Sequence, residues 1–216
     1  MKIILISIVV IIVGFISCSD KQQETVIKND SVEKMTIKND TAVTVRKEIT
    51  TENGNQFIII ESKPSTSVSN YMIAGKGFKN SADTLKFPLK NPMSAALLAD
   101  LDKNGFEELY IITKSAGSQT FVDMFAIASN PDSSFNEIKI EQINAEDVND
   151  KNGKFHGYMG FDSIYISDNR IIREFPVFQS SDLSEETREM RRIFYQLKPY
   201  DKFNELVISG LEKVNK

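Results

Sequence analysis

The chain has 216 residues and carries 30 acidic against 26 basic side chains, a formal net charge of −4. We expect no nucleic-acid partner, because binding to phosphates relies on an excess of lysine and arginine. The single cysteine and the single histidine cannot build a disulfide framework or supply the ligands of a zinc site. These counts exclude a disulfide-stapled fold and a metal site rich in cysteine or histidine.

A short apolar segment opens the sequence. Residues 3–16 are almost all apolar, follow Lys2 and lead into Ser17-Cys18. The run is shorter than the roughly 20 residues that cross a bilayer. A small residue before the only cysteine is typical of a lipoprotein export signal. We therefore predict that residues 1–17 are a signal peptide and that Cys18 is lipidated. This lipid would anchor the protein to a membrane of the cell envelope. We therefore expect the protein in the periplasm or at the outer membrane, with exposure at the cell surface as a further option. The alternatives are a signal anchor, or a Cys18 that is an incidental free thiol.

Residues 18–54 are predicted to be a flexible tether between the lipid and a folded domain at residues 55–216. This stretch is polar, has no aromatic residue before Phe57, and repeats Ile-Lys-Asn-Asp at residues 27–30 and 37–40. It offers too little apolar surface to offset the entropy lost on ordering. Residues 43–49 nevertheless alternate between apolar and polar side chains, so a strand is the alternative there.

The domain shows short alternating segments separated by turn residues, a pattern that predicts an all-β fold. We expect an antiparallel β-sandwich or flattened barrel of about eight or more strands, with at most short helical turns. One such turn is predicted within residues 181–190, and a tight hairpin at Asp168-Asn169. The predicted strands cover residues 56–61, 68–74, 84–87, 95–99, 107–114, 121–128, 135–140, 162–167, 170–178, 190–197 and 203–208.

An acidic turn precedes the most apolar of these strands. Oxygen-bearing groups alternate along it, as in a calcium loop, at Asp100, Asp102, Asn104, the carbonyl of Phe106, and Glu108. The twelfth position of such a loop, which carries a bidentate glutamate, is Ile111 here. Two interpretations stay open, a Ca²⁺ site and a metal-free turn held by bonds from side chains to the backbone. We expect the metal-free turn. In the other interpretation, Ca²⁺ is the candidate cofactor.

The strand at residues 107–114 is predicted to be buried on both faces, because its apolar run includes β-branched residues at successive positions. It is followed by residues 115–120, where no side chain is larger than glutamine, and by a return strand from Phe121. A loop this slim can project as a finger. The alternative is an ordinary hairpin loop whose Phe121 turns into the core.

No catalytic constellation is found, and we expect the protein not to be an enzyme. Glu107 and Glu108 are adjacent, so on a strand they point to opposite faces and cannot form the facing carboxylate pair of a glycosidase. His156 has no second histidine or cysteine near it to form a metal site or a nucleophile–base pair. A hydrolytic enzyme therefore has no support in the sequence.

Several short motifs together resemble the family of periplasmic inhibitors of invertebrate-type lysozyme, the PliI-like proteins, over roughly residues 55–209. The motifs are residues 100–110 (DLDKNGFEELY), 115–118 (SAGS), 157–162 (GYMGFD), 173–177 (REFPV) and 192–197 (RIFYQL). The resemblance implies a small β-rich protein, with lysozyme as its partner, that inhibits the enzyme by inserting a serine-containing loop into its cleft.

The resemblance also implies which residues bind. The family's loop places a serine and, three residues later, a tyrosine against the lysozyme cleft, and these positions are Ser118 and Phe121 here. Ser115 and Gly117 match the same loop, whereas Phe121 lacks the hydroxyl of the tyrosine. The alternative function is a Ca²⁺-binding or ligand-binding β module on the cell surface without inhibitory activity. A homodimer is compatible with either.

Overall fold

The computed structural model describes residues 35–39, 42–78, 84–129, 136–179, 186–200 and 203–215. The predicted signal peptide and Cys18 lie outside the described residues. Among the residues described, no helix has the length and apolar character needed to cross a bilayer.

Thirteen strands and one short helix account for most of the described residues. They are β1 Met35–Asn39, β2 Ala42–Thr50, β3 Gln56–Lys63, β4 Ser69–Lys76, β5 Thr84–Lys90, β6 Met93–Ala99, β7 Glu108–Lys114, β8 Val122–Ala128, β9 Asn136–Ile140, α1 Ala145–Asn149, β10 Ser163–Ser167, β11 Arg170–Phe178, β12 Glu186–Tyr200 and β13 Phe203–Asn215. The prediction of an all-β fold is confirmed.

The strands form two sheets. One has five strands in the order β1-β2-β3-β4-β5, and the other has eight in the order β10-β11-β12-β13-β9-β8-β7-β6. Neighbouring strands are antiparallel except β13 and β9, which pair in parallel through Glu205–Lys139 and Leu206–Ile140. The predicted hairpin at Asp168-Asn169 is confirmed, since both residues have positive φ and Ser167 pairs with Arg170.

Two hydrophobic cores hold these sheets. The inner core consists of Leu101, Tyr110, Ile112, Val122, Met124, Ala126, Ala128, Ile138, Phe155, Ile171, Phe175, Val177, Ile193, Tyr195, Leu197 and Leu206. The outer core consists of Phe57, Ile59, Tyr71, Ile73, Phe78, Phe87, Leu109, Ile111, Phe125 and Ile127. The inner core joins β7 and β8 to β11, near opposite ends of the strand order, so the eight-stranded sheet curls around it. The five-stranded sheet packs on the other face of β7 and β8 through the outer core.

Strand β7 therefore lies between both cores, as its sequence predicts. Leu109 and Ile111 point to the outer core, while Tyr110 and Ile112 point to the inner core. All four side chains are buried. This strand fixes the positions of the acidic turn before it and of the finger after it.

The tether prediction is wrong for part of its range. Strand β2 pairs with β3 from Val43–Lys63 to Thr50–Gln56, and β1 pairs with β2. Ile49 also packs against the outer core. The ladder of backbone hydrogen bonds and this contact give the segment a place in the sheet despite its polar composition. The alternative of a strand at residues 43–49 is confirmed.

The helical turn predicted within residues 181–190 is also wrong at residues 186–190. Residues 186–190 belong to β12, and residues 181–185 lie outside the described residues. The described helix is elsewhere, at α1, where the Asn144 side chain accepts a hydrogen bond from the Asp147 backbone N–H at 2.7 Å. Pairing with β11 and β13 on both sides makes β12 a strand in spite of its run of glutamate and arginine.

Candidate functional site

The finger, residues 115–121, connects β7 to β8 and is closed at its base by two hydrogen bonds. The Ser115 backbone N–H donates to the Phe121 carbonyl at 2.9 Å, and the Phe121 N–H donates to Ser115 Oγ at 2.8 Å. Gly117 has φ +123°, a conformation that favours glycine. The Ser115 hydroxyl is thus engaged inside the loop rather than offered to a partner.

The tip of the finger is exposed and carries only small side chains. Ala116, Gly117 and Ser118 are exposed, while Gln119 turns inward and donates from Nε2 to the Met159 carbonyl at 2.8 Å. Within the described residues, the Ser118 hydroxyl makes no hydrogen bond to another part of the chain. Ser118 is therefore the polar group that the finger presents outward.

A second loop, residues 157–162, supports the finger, and we call it the support loop. The Phe161 N–H donates to the Thr120 carbonyl at 2.6 Å, and the Val122 N–H donates to Asp162 Oδ1 at 2.9 Å. Gly160 has φ +85°, and a Cβ at this position would lie 2.7 Å from the Thr120 carbonyl oxygen. Glycine is needed there for two reasons, the backbone conformation and the close approach of the finger.

Two aromatic rings on these loops are partly exposed. Phe121 is 40% exposed and Phe161 is 39% exposed. The Phe121 ring meets the edge of Tyr158 at 6.0 Å between centroids, and the Phe161 ring lies 5.9 Å from Phe178. The alternative in which Phe121 turns into the core is therefore wrong, because much of its ring faces solvent beside the finger.

A buried ion pair anchors the support loop. Asp162 Oδ2 lies 3.6 Å from Arg173 Nε, and both side chains are almost fully buried. Burial raises the pKa of the Asp162 carboxyl above its ordinary value, against the opposing effect of the Arg173 charge. Removing either partner would leave the other charge buried and uncompensated. The loop under the finger is therefore fixed from inside the molecule.

A hollow of about 210 Å³ opens beside Phe121. Its lining includes Tyr158, Arg173, Asp123 and Glu141. Pockets for drug-sized ligands usually measure about 300–1,000 Å³. The hollow beside Phe121 is therefore below the usual size of a pocket for a drug-sized ligand.

The acidic turn lies at the other end of β7 and is shaped by its own side chains. The Asn104 N–H donates to Asp100 Oδ1 at 3.0 Å and to Asp102 Oδ1 at 3.1 Å, and the Gly105 N–H donates to Asp100 Oδ2 at 2.9 Å. Asn104 Oδ1 in turn accepts from the Phe106 N–H at 2.7 Å. The predicted bonds from side chains to the backbone are confirmed.

Glu108, the first residue of β7, is fully buried behind this turn. Its Oε2 accepts from the Leu101 N–H at 2.9 Å and from the Tyr110 hydroxyl at 3.1 Å. Burial raises the pKa of Glu108 to about 8, and the charge of Asp102 acts in the same direction. Carboxylate oxygens of Asp100, Asp102 and Glu108 lie within 4.8 Å of one another. The structure thus brings together three of the five predicted ligands, while Asn104 stands in the same turn.

The part of the site that is distant from the finger in sequence is not encoded in a local pattern. The residues of the motif at 157–162 do not indicate that it lies under the finger or that Asp162 binds the start of β8. The only local signal was the pair of glycines, Gly157 and Gly160, both of which have positive φ.

Comparisons of the chain with protein-family models, curated proteins and solved structures found no match. Support for a function therefore comes from the motifs and from the geometry described above.

Proposed function

We propose that this protein is an envelope lipoprotein, anchored through a lipid on Cys18, that inhibits lysozyme by inserting the finger into the active-site cleft of the enzyme. The target class is the invertebrate-type lysozyme, to whose inhibitors the motifs are similar. The inhibitor is not itself an enzyme in this proposal.

The observation that carries the proposal is the convergence of three separate motifs on the finger. Residues 115–118 form one side of the finger from its base to its tip, and residues 157–162 form the support loop. Arg173 from the third motif pairs with Asp162 of the support loop. These segments lie up to about 60 residues apart in sequence, so their shared position is not a consequence of local structure. Motifs that meet around one exposed loop favour that loop as the binding element.

The finger has the physical properties of an inhibitory loop. Its base and sides are held by hydrogen bonds, so little backbone freedom would be lost on binding, which lowers the entropic cost of association. The small tip can enter a narrow cleft, and the half-exposed ring of Phe121 offers an apolar contact at its edge. The net charge of −4 favours encounter with a basic enzyme.

Glu107 and Glu108, the adjacent carboxylates that a glycosidase would need on one face, both make contacts within the fold. Glu107 accepts a hydrogen bond from the Glu52 N–H at 2.6 Å, and Glu108 is fully buried. A buried carboxylate cannot reach a polysaccharide. This supports an inhibitor rather than a hydrolase.

The substitution Ser118→Asp tests the finger directly. A charge at the tip would be left unpaired in the cleft, so we expect the inhibition constant to rise at least about a hundredfold, or ~2.7 kcal/mol. The melting temperature should stay unchanged because the position is exposed. Ser67→Asp is the matched control, since Ser67 is an exposed serine in another loop, and it should inhibit like the unaltered protein.

Inhibition is measured against a panel of lysozyme types, together with a pull-down of each enzyme. A folded Ser118→Asp variant with undiminished inhibition would contradict the role of the finger. Absence of binding to every lysozyme in the panel would contradict the function itself.

The lipid anchor has its own test. Replacing Cys18 with serine should abolish incorporation of labelled fatty acid and move the protein out of the membrane fraction. If the variant still carries the label, Cys18 is not the lipidation site.

A further inference from the structure

Glu108 carries an oxygen that the fold leaves unpaired. The side chain is fully buried, and whereas Oε2 accepts two hydrogen bonds, Oε1 has no hydrogen-bond partner. Buried polar atoms are rarely left unsatisfied, because each such atom keeps the cost of its lost hydration. A water molecule or a cation at this oxygen would supply the missing partner.

The surroundings of Glu108 are negatively charged. Carboxylate oxygens of Asp100 and Asp102 lie within 4.8 Å of one another and of a Glu108 oxygen. Among the described residues, no lysine, arginine or histidine forms an ion pair with any of these three carboxylates. The like charges of Asp100 and Asp102 create a repulsion at this separation. A cation between them would remove it.

The hydrogen bonds of the turn leave room for such a cation. A carboxylate oxygen has two acceptor positions, and Asp100 Oδ1, Asp100 Oδ2 and Asp102 Oδ1 each accept one backbone N–H. Asp102 Oδ2 accepts from the side-chain amides of Asn104 at 3.0 Å and Asn204 at 3.3 Å, so both of its positions are filled. The bonds therefore fix the turn and leave one acceptor position on each of the other three oxygens. Gly105 at φ +86° and Asn169, which donates to the Leu101 carbonyl at 3.4 Å, hold the turn in place.

We propose that the acidic turn binds one Ca²⁺ through carboxylate oxygens of Asp100, Asp102 and Glu108. The donors are all oxygens, which excludes the nitrogen and sulfur sets preferred by zinc and copper. A loop that offers several oxygens suits Ca²⁺, which takes six to eight, better than Mg²⁺, which keeps much of its water. The sequence favoured a metal-free turn, and the unpaired Glu108 oxygen is the observation that reverses this preference. The site is independent of lysozyme inhibition.

Terbium luminescence provides a local test. The Tyr110 hydroxyl lies 3.1 Å from Glu108 Oε2, so Tb³⁺ bound in the turn would be excited by light that Tyr110 absorbs. The full-length protein in detergent, stripped with a chelator, should give sensitised emission with Tb³⁺ that Ca²⁺ displaces. Calorimetry should show one Ca²⁺ per chain, with a dissociation constant of about 1 mM or tighter. Tyr110→Phe should lose the emission.

Two adjacent glutamates give a matched pair of variants. Glu108→Gln should weaken Ca²⁺ binding at least tenfold, whereas Glu107→Gln, the same change one residue earlier, should leave it within twofold. Asp102→Asn should also weaken Ca²⁺ binding at least tenfold. This variant replaces Glu108→Gln as the test if the buried Glu108→Gln change prevents folding. Absence of both Ca²⁺ heat and Tb³⁺ emission in the unaltered protein would overturn the proposal. The proposal would also be overturned if Glu107→Gln lost as much Ca²⁺ affinity as Glu108→Gln, or if the protein bound Mg²⁺ as tightly as Ca²⁺.

Discussion

The acidic turn and the finger sit at opposite ends of β7 and are built in opposite ways. In the acidic turn, Asp100, Asp102 and Asn104 bond to backbone amides, so the polar side chains face into the turn. In the finger, the backbone bonds to the support loop, the Ser115 and Gln119 side chains hold the base and flank, and the small side chains of residues 116–118 at the tip are exposed. A turn that is held by its own side chains directs its chemistry inward. A turn that is supported by a neighbouring loop leaves the side chains at its tip exposed.

The largest expected effect comes from breaking the strand that both turns share. Ile111 is fully buried in the outer core. Ile111→Ala should lower the free energy of unfolding by about 2–5 kcal/mol, because it leaves a cavity between two packed layers. Denaturant unfolding measures the loss, and both inhibition and Ca²⁺ binding should weaken with it.

Lys114→Ala, at the exposed end of the same strand, is the control and should change stability by less than about 0.5 kcal/mol. If Ile111→Ala were equally mild, β7 would not be the element that positions both turns.

A pair of glycines sharpens the comparison between the two turns. Gly105 in the acidic turn and Gly160 in the support loop have nearly the same φ, +86° and +85°. An alanine at either position should cost about 1–2 kcal/mol in backbone strain. At Gly105 the added Cβ meets nothing within 4 Å, whereas at Gly160 it would approach the Thr120 carbonyl oxygen to 2.7 Å.

Gly160→Ala should therefore be less stable than Gly105→Ala by about 1–3 kcal/mol, the usual cost of overpacking. It should also weaken inhibition, because the finger must move away from the support loop. Thermal unfolding and inhibition constants of both variants check this. Equal stability and equal inhibition would mean that the support loop does not hold the finger.

These two turns also show how far the sequence could predict the structure. The acidic turn was predictable in detail, because the alternation of Asp100, Asp102 and Asn104 before Gly105 encodes bonds within a few residues. The exposure of the finger tip followed from its small side chains. The contact between Thr120 and Phe161 was not predictable, because it depends on how the eight-stranded sheet curls, and that is decided by the inner core as a whole.

The same distinction explains the wrong assignments. Residues 43–49 carry too few apolar side chains to fold alone, but β3 supplies a complete ladder of partners for β2. The beginning of β12 has the composition of a helix start, yet it lies between two strands. In both cases long-range pairing overrode a local preference. The unpaired oxygen of Glu108 was equally hidden, since the spacing of ligands says nothing about which oxygen lacks a donor.

A smaller effect is expected from the hydrogen bond that closes the finger. Ser115→Ala removes the acceptor of the Phe121 N–H and should cost about 0.5–1.5 kcal/mol in stability. Inhibition should weaken a few-fold, because a looser finger loses more entropy on binding. Thermal unfolding and inhibition assays measure the two effects.

Ser118→Ala makes the same chemical change three residues later, where no intramolecular bond is lost among the described residues. It should leave the melting temperature unchanged. If Ser115→Ala behaved in the same way, the bond to Phe121 would not be what shapes the finger.

The smallest change concerns one oxygen atom at the edge of the finger. Phe121 is 40% exposed, so the hydroxyl of a Phe121→Tyr variant would remain in water in the free protein, and the edge contact with Tyr158 would be kept. We therefore expect no change in melting temperature. The resemblance to the lysozyme inhibitors implies a tyrosine at this position, so the new hydroxyl should strengthen inhibition of invertebrate-type lysozyme by up to about tenfold, or ~1.4 kcal/mol.

Phe161→Tyr adds the same hydroxyl to the other half-exposed ring, on the support loop, and should leave inhibition unchanged. A gain shared by both variants would point to a general effect of surface polarity, and no gain in either would remove Phe121 from the binding surface. A gain confined to Phe121→Tyr would place this ring against the enzyme, because only a hydroxyl that finds a partner in the complex can raise affinity without altering the stability of the free protein.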